Sequence, residues 1–113
     1  KSIAIGIGAT SAAVQTALTP TSGKKVRILT VEAVAYGLTT DPDTVWVYFG
    51  TGANIFTDSA NGIAGLYTGT KGTDRIPFND GSGPIGDVDE VVSWRTQTET
   101  ESQLVLLITY REE

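Results

Sequence analysis

The acidic residues in and after a glycine-rich stretch are the first candidates for chemistry. Asp80, Asp87, Asp89 and Glu90 lie within or directly after segment 79–86. Calcium prefers carboxylate and carbonyl oxygens on a bendable loop, so these four acids are candidate calcium ligands. Their spacing does not match an EF-hand loop, in which ligands stand at fixed positions and end in Glu. We therefore predict a solvated turn without a metal, with calcium as the alternative.

The chain lacks two of the residue types that enzymes use most often for catalysis. The chain contains neither cysteine nor histidine, which excludes thiolate nucleophiles, the Ser-His-Asp triad and most transition-metal sites. Two acid pairs, Asp87 with Asp89 and Glu99 with Glu101, are of the type that glycosidases use, but no substrate-stacking pattern accompanies them. The glycines of segment 6–8 lack the third glycine of a dinucleotide loop. We predict that the protein is not an enzyme and binds no cofactor.

Carbohydrate binding is the alternative class of function. Aromatic side chains stack on sugar rings when they line one face of a sheet, whereas aromatics of a core or a subunit interface do not. A planar row of exposed Trp and Tyr would distinguish the two interpretations. The aromatic candidates are Trp46, Tyr48, Tyr67, Tyr36, Trp94 and Tyr110.

The charge balance limits the choice of partners. Eight Lys and Arg residues against 13 Asp and Glu give a net charge of −5, which repels a phosphate backbone, so we predict no nucleic acid ligand. No apolar run approaches the ~20 residues of a membrane span, so we predict no membrane partner. Lys24, Lys25 and Arg27 form the main basic cluster. They are candidates for docking an acidic protein surface, and a solvated strand end is the alternative.

Strand-type patterns separated by Gly- and Pro-containing turns cover most of the chain. The β-branched run 24–36 predicts the longest strand, and Ile3, Ile5 and Ile7 alternate with smaller residues in the first. Pro77 predicts that its short strand lies at an edge or a bulge. The predicted strands are 2–7, 9–18, 24–36, 44–49, 64–67, 74–78, 88–96 and 102–111, of which 9–18 also fits a short helix.

About seven or eight short strands predict an all-β fold, an antiparallel β-sandwich that is jelly-roll-like. We expect a single domain over residues 1–113, in which segment 1–18 is either an N-terminal arm or the first strands. The chain contains no methionine, even at position 1. We therefore expect the numbering to begin after a tag, a trimmed segment or a processing site.

Two of the predicted strands, 44–49 and 104–108, are apolar on both faces. The period-2 alternation of a half-solvated sheet is missing from both. A chain of this size cannot surround many such strands, so we expect a second sheet or a protein neighbour to cover the other face. The candidate interface residues on these strands are Trp46, Tyr48, Val105 and Leu107.

Four predicted elements follow one another in a characteristic order. They are a long first strand (23–35), a strand before a Gly-rich turn (44–52), a short strand (75–78), and a closing strand that ends in an aromatic and charges (101–112). In this order of elements the chain resembles the small β-sandwich virion proteins of tailed bacteriophages, of the head-decoration or cement type, and related fibre modules.

The resemblance implies a structural protein located in the virion that forms a homo-oligomer, with a trimer favoured. Its other partner would be the major capsid protein or another virion protein. It carries over no catalytic residues. The alternative is a carbohydrate-binding or receptor-binding β-sandwich module, as in a tail fibre or an adhesin.

Overall fold

The computed structural model describes residues 2–7, 15–35, 44–51, 62–69, 71–79, 81–96 and 104–113. These residues contain eight strands and no helix. The strands are β1 (Ser2–Ile7), β2 (Gln15–Leu18), β3 (Val26–Ala35), β4 (Thr44–Phe49), β5 (Gly62–Tyr67), β6 (Gly72–Pro77), β7 (Val92–Thr96) and β8 (Leu104–Glu112).

The strands form two four-stranded sheets in which every neighbouring pair is antiparallel. The first sheet has the order β1-β8-β3-β6 and the second has the order β2-β7-β4-β5. Four of the pairings are nested: β4 with β5, β3 with β6, β2 with β7 and β1 with β8. Such nesting is what results when one long hairpin is rolled into two facing sheets, which is the eight-stranded jelly roll. The predicted all-β, jelly-roll-like sandwich is confirmed.

The core lies between the two sheets, and alternation along the strands decides which side chains enter it. In β3, Val26 and Ile28 are buried, the register with β8 shifts between Ile28 and Thr30, and burial resumes at Val31. A bulge of this kind inserts one residue and so resets which side chains face inward. The buried core cluster consists of Leu18, Val26, Ile28, Val31, Ala33, Ala35, Val45, Val47, Phe49, Leu66, Val92, Trp94, Leu106, Ile108 and Tyr110.

The bounds of β3, β5 and β6 differ from the predicted ones by one or two residues, and one predicted start is wrong by more. β4 spans Thr44–Phe49 as predicted, and β6, which ends at Pro77, lies at the edge of the first sheet. The predicted strand 88–96 is wrong at its start, because β7 begins only at Val92. Residues 88–89 form a turn, in which Asp89 has a φ of 63° that is incompatible with a strand. Segment 9–14 lies outside the described residues, and so does Tyr36.

Among the residues that the structure describes, no helix is long and apolar enough to cross a membrane.

Candidate functional site

Three chain segments meet at one end of the sandwich: the β2–β3 loop, the described part of the β6–β7 loop, and the end of β8. The backbone of Lys25 exchanges two hydrogen bonds of 2.8 Å with that of Glu113, which extends the β3·β8 ladder beyond the strands. Arg27 forms an antiparallel bridge with Ile85. The segments are therefore tied to each other by main-chain bonds at this end.

The β6–β7 loop continues the edge of the first sheet along the first half of β3. The Ile28 N–H donates to the Pro84 carbonyl at 2.9 Å, and the Gly86 N–H donates to the Val26 carbonyl at 3.1 Å. A Cβ on Gly83 would stand 2.0 Å from the carbonyl oxygen of Ile28, a distance that no side chain tolerates. Glycine at position 83 thus permits the close approach of the loop to β3.

Two of the four calcium candidates serve as hydrogen-bond acceptors for backbone N–H groups. The Asp89 carboxylate accepts from the Gly23 N–H at 2.6 Å, and the Glu90 carboxylate accepts from the Asp87 N–H at 2.9 Å. Asp87 itself is exposed, and Asp80 lies outside the described residues. Among the described residues, no three acidic side chains are grouped as a metal site would need. At these two acids, the structure shows loop stabilisation.

An ion cluster holds Glu113, a residue that sequence reasoning did not single out. Arg27 binds its carboxylate with two nitrogens, at 2.5 and 3.4 Å, and Arg111 binds it at 2.9 Å. Hydrogen bonds from Arg27 and then Arg111 lower the pKa of Glu113 from 4.5 to about 2. A third nitrogen of Arg27 donates to the Gly83 carbonyl at 2.9 Å. Arg27 is therefore committed to internal contacts, unlike the two lysines beside it.

Four of the exposed residues at this end define what we call the basal surface: Lys24, Lys25, Ile85 and Val88. The exposed acids Asp87 and Asp89 lie on the same loop as the two apolar residues. Both lysines are exposed, and neither is ion-paired with another described residue. Ile85 is 38% exposed and Val88 is 52% exposed, two of the three large apolar side chains that stand out from the described surface. The Asp89 N–H donates to the Lys24 carbonyl at 2.9 Å, so the two loops that carry these residues are adjacent. Cations and apolar groups are thus presented on a hydrogen-bonded framework.

The predicted interface residues on the strands lie in different settings. Val105 and Leu107 alternate with the buried Leu106 and Ile108, so they lie on the outer face of the first sheet, where they are half-buried. Tyr48 is only 1% exposed within the single chain and therefore offers a partner no area.

Trp46, the remaining strand candidate, is half-buried on the outer face of the second sheet. A Cβ on Gly65 of β5 would lie 2.6 Å from the Trp46 ring, so the indole covers this glycine of the neighbouring strand. We expected a second sheet or a protein neighbour to cover the other face of this strand, and the packing of the indole on β5 shows that the chain itself covers part of it.

The aromatic side chains do not form a planar exposed row in the described part of the chain. Trp94 and Tyr110 belong to the core cluster, Tyr48 is buried, and Trp46 is half-buried. Tyr67 is 57% exposed and is the sole aromatic among the large exposed apolar residues of the described ranges. The feature that would mark a sugar-stacking face is therefore missing from these residues.

Comparison with known proteins adds a weak structural likeness. No protein-family model matches the sequence, and no curated protein matches it. Among solved structures, the chain is similar to a chain in the structure of infectious bursal disease virus, Gx strain, with 8% sequence identity and a TM-score of 0.32. The match covers 96% of the chain but only 31% of the viral one. A likeness this small carries no argument about function, and the fold class rests on the strand order.

Sequence reasoning found the lysines of the basal surface but missed Ile85, Val88 and Glu113. Ile85 lies in a Gly-Pro-rich loop and Val88 in a segment that we had interpreted as a strand, so neither was marked as an exposed apolar residue. The two arginines that hold Glu113 come from β3 and β8. The Arg111 contact is local, because the two residues are two positions apart, but the Arg27 contact depends on the pairing of β3 with β8 and has no local signal in the sequence.

Proposed function

We propose that this chain is a non-enzymatic structural protein of a virion, a capsid decoration or cement protein that stabilises the shell through self-association and lattice contacts. The observation that carries the proposal is the basal surface, where exposed apolar side chains and two lysines lie on loops that are hydrogen-bonded to each other. Burial of apolar area with complementary charge is how one protein docks on another without chemistry.

The fold narrows the alternatives. Eight-stranded jelly rolls with two facing sheets are used by viral capsid domains and by lectins. Of the candidate aromatics that the structure describes, Tyr48, Trp94 and Tyr110 are buried, Trp46 is half-buried and only Tyr67 is exposed, which argues against the lectin-type alternative. The absence of histidine and cysteine leaves little for a metal-dependent or nucleophilic enzyme on this scaffold.

The mechanism would be interface burial by a preorganised surface. A standard interface covers about 800 Å² on each partner, a modest fraction of the chain's 5629 Å² of accessible surface. The loops are already fixed by Asp89, Glu90 and the Arg27–Glu113 contact, so little ordering entropy is lost on docking. The partner surface would be acidic with an apolar centre, on the major capsid protein or another virion protein.

Self-association is the second part of the proposal. The resemblance to decoration proteins implies a trimer, but the presence of self-association and the number of copies are separate questions. Light scattering measures both in one experiment, and we expect an oligomer at micromolar concentration.

The location in the virion is tested on particles from the source of the sequence. Density-gradient-purified particles, analysed by mass spectrometry, should contain this chain. Recombinant protein should rebind particles from which it was stripped. Lys24→Glu combined with Lys25→Glu should reduce rebinding at least tenfold, whereas Lys71→Glu, an exposed lysine of another loop, should leave it unchanged. Recovery of the chain only from the soluble fraction would contradict the proposal.

The carbohydrate-binding alternative is checked separately on a glycan array. We expect no signal above background for the wild-type protein. A specific glycan signal that Trp46→Ala or Tyr67→Ala abolishes would favour the receptor-binding module instead.

A further inference from the structure

Each sheet has two edge strands, and three of these four strands have a feature that hinders pairing with another chain. An open edge invites pairing with another chain, and proteins prevent this with short strands, bulges, charges or proline. β2 has four residues and a register shift between Thr16 and Leu18. β5 meets its neighbour with a register shift and contains Gly65 beneath the Trp46 ring. β6 carries two charged residues and ends at Pro77.

The outer edge of β1 has none of these features. Its six residues pair with β8 in an unbroken register, from Ser2 opposite Thr109 to Ile7 opposite Leu104. The strand sequence is Ser-Ile-Ala-Ile-Gly-Ile, without charge and without proline. In the order of the described strands, β8 is its neighbour on one side and no strand follows on the other. Backbone N–H and C=O groups of every second residue are therefore directed along the sheet, away from β8.

We propose that the outer edge of β1 pairs with the β1 edge of a second copy of this chain, antiparallel, about a two-fold axis. The inference rests on the self-association in the proposed function and specifies its geometry. The first sheets of the two copies then form one continuous eight-stranded sheet.

Two observations favour a second copy in this arrangement. β1 is the edge strand among the four that lacks such a feature, so the matching open edge is the same strand in another copy, which makes the contact isologous. The uncharged sequence of β1 gives two copies no reason to repel. Lys1 precedes the strand in the sequence, and antiparallel pairing keeps the two Lys1 positions at opposite ends, whereas parallel pairing would bring them together.

The test compares one charge placed on two different edges. Ala4→Lys puts a charge in the middle of β1, and Thr73→Lys puts the same charge on the exposed edge strand β6. Sedimentation velocity from 1 to 500 µM (on the order of the range where weak dimers dissociate) should show a wild-type dimer. Ala4→Lys should raise the dimer dissociation constant at least tenfold, and Thr73→Lys should leave it unchanged.

Amide hydrogen exchange on the wild-type protein provides a test that needs no variant and decides the case in which Ala4→Lys fails to fold. Alternate amides of Ser2–Ile7 should exchange more slowly in concentrated than in dilute samples, whereas β6 amides should not change. Concentration-independent exchange in β1, across the range where the mass changes, would overturn the inference.

The outcomes separate this inference from the proposed function. A trimer, or an oligomer that Ala4→Lys does not weaken, contradicts pairing through β1 but leaves self-association intact. A wild-type monomer at every concentration, with β1 amides already protected, would mean that the chain itself covers this edge. The β1 pairing and self-association would then both be contradicted, and only the particle experiment would test the location in the virion.

Discussion

The carboxylate of Asp89 accepts a 2.6 Å hydrogen bond from the backbone N–H of Gly23, which joins the β6–β7 loop to the β2–β3 loop. Both residues have left-handed backbone conformations, with φ of 63° for Asp89 and 82° for Gly23. Asp tolerates this conformation better than most residues, and its short side chain also supplies the acceptor. Asp89 thus both adopts the left-handed conformation of the turn and accepts the hydrogen bond that joins the two loops of the basal surface.

Asp89→Ala should destabilise the fold by about 2 kcal/mol, because it removes a hydrogen bond worth about 1 kcal/mol and leaves a left-handed alanine that costs a further ~1 kcal/mol. Asp89→Asn keeps an acceptor and a residue suited to this conformation, so we expect a loss below about 0.5 kcal/mol. Urea unfolding measures both. Equal stability of Asp89→Ala and Asp89→Asn would show that the bond to Gly23 contributes nothing.

The stability of the fold depends on pH through the carboxylate of Glu113. Its pKa is lowered to about 2 in the folded chain by Arg27 and Arg111, so its charge stabilises the fold above its ordinary value of 4.5, and this contribution is lost as the pH falls toward 2. The melting temperature of Glu113→Gln should therefore lie below that of the wild type at pH 6, and the two should converge near pH 2. A difference that stays constant across this window would contradict the assignment.

Trp46 and Tyr67 provide a matched pair of aromatics on neighbouring strands. Trp46 is half-buried over Gly65, whereas Tyr67 is mostly exposed. Fully buried aromatics cost ~3–5 kcal/mol when truncated to alanine, so we expect about 2 kcal/mol for Trp46→Ala. Tyr67→Ala should cost less than about 0.5 kcal/mol, as is usual at exposed positions. Thermal melts of both variants measure this, and equal losses would mean that the indole is not packed on β5.

Calcium should have little effect on stability. Asp89 and Glu90 are occupied by backbone N–H groups, and only a ligand that prefers the folded state raises the melting temperature. Titration of calcium into chelator-treated protein should leave the melting temperature unchanged within error, with magnesium as the control. A calcium-specific rise that Asp87→Asn together with Asp89→Asn abolishes would favour the calcium-site alternative.

Strand positions could be predicted where local chemistry decides them. The apolar run of β4 is bounded by Asp-Pro-Asp before it and by Gly50 after it, and its bounds agree with the structure. Val88 looked like the start of a strand because it precedes a run with Val91 and Val92. The conformation of Asp89 and the docking of its loop on Lys24 prevent it, and both depend on residues more than 60 positions away.

Partners across the sheets could not be predicted from the sequence. Alternation shows which residues share a face, but it does not show that β8 lies between β1 and β3. The half-burial of Trp46 depends on a glycine that pairs with it from β5, and the Arg27 contact to Glu113 depends on the β3·β8 pairing. The candidate site was therefore visible only in part, through the exposed lysines.

The outermost ladder joins the first strand of the chain, β1, to the last one, β8, so β1 is synthesised long before the strand with which it pairs. β4 and β5 are the nested partners closest along the chain, whereas Ser2 must wait for Thr109. At ~5–20 residues per second, β1 is synthesised roughly 5–20 s before its partner, which is long compared with hairpin formation in microseconds. We expect refolding to begin at the inner hairpin and to close the β1·β8 ladder last. Pulse-labelled amide exchange should accordingly protect Val45 and Val47 before Ile3 and Ile5.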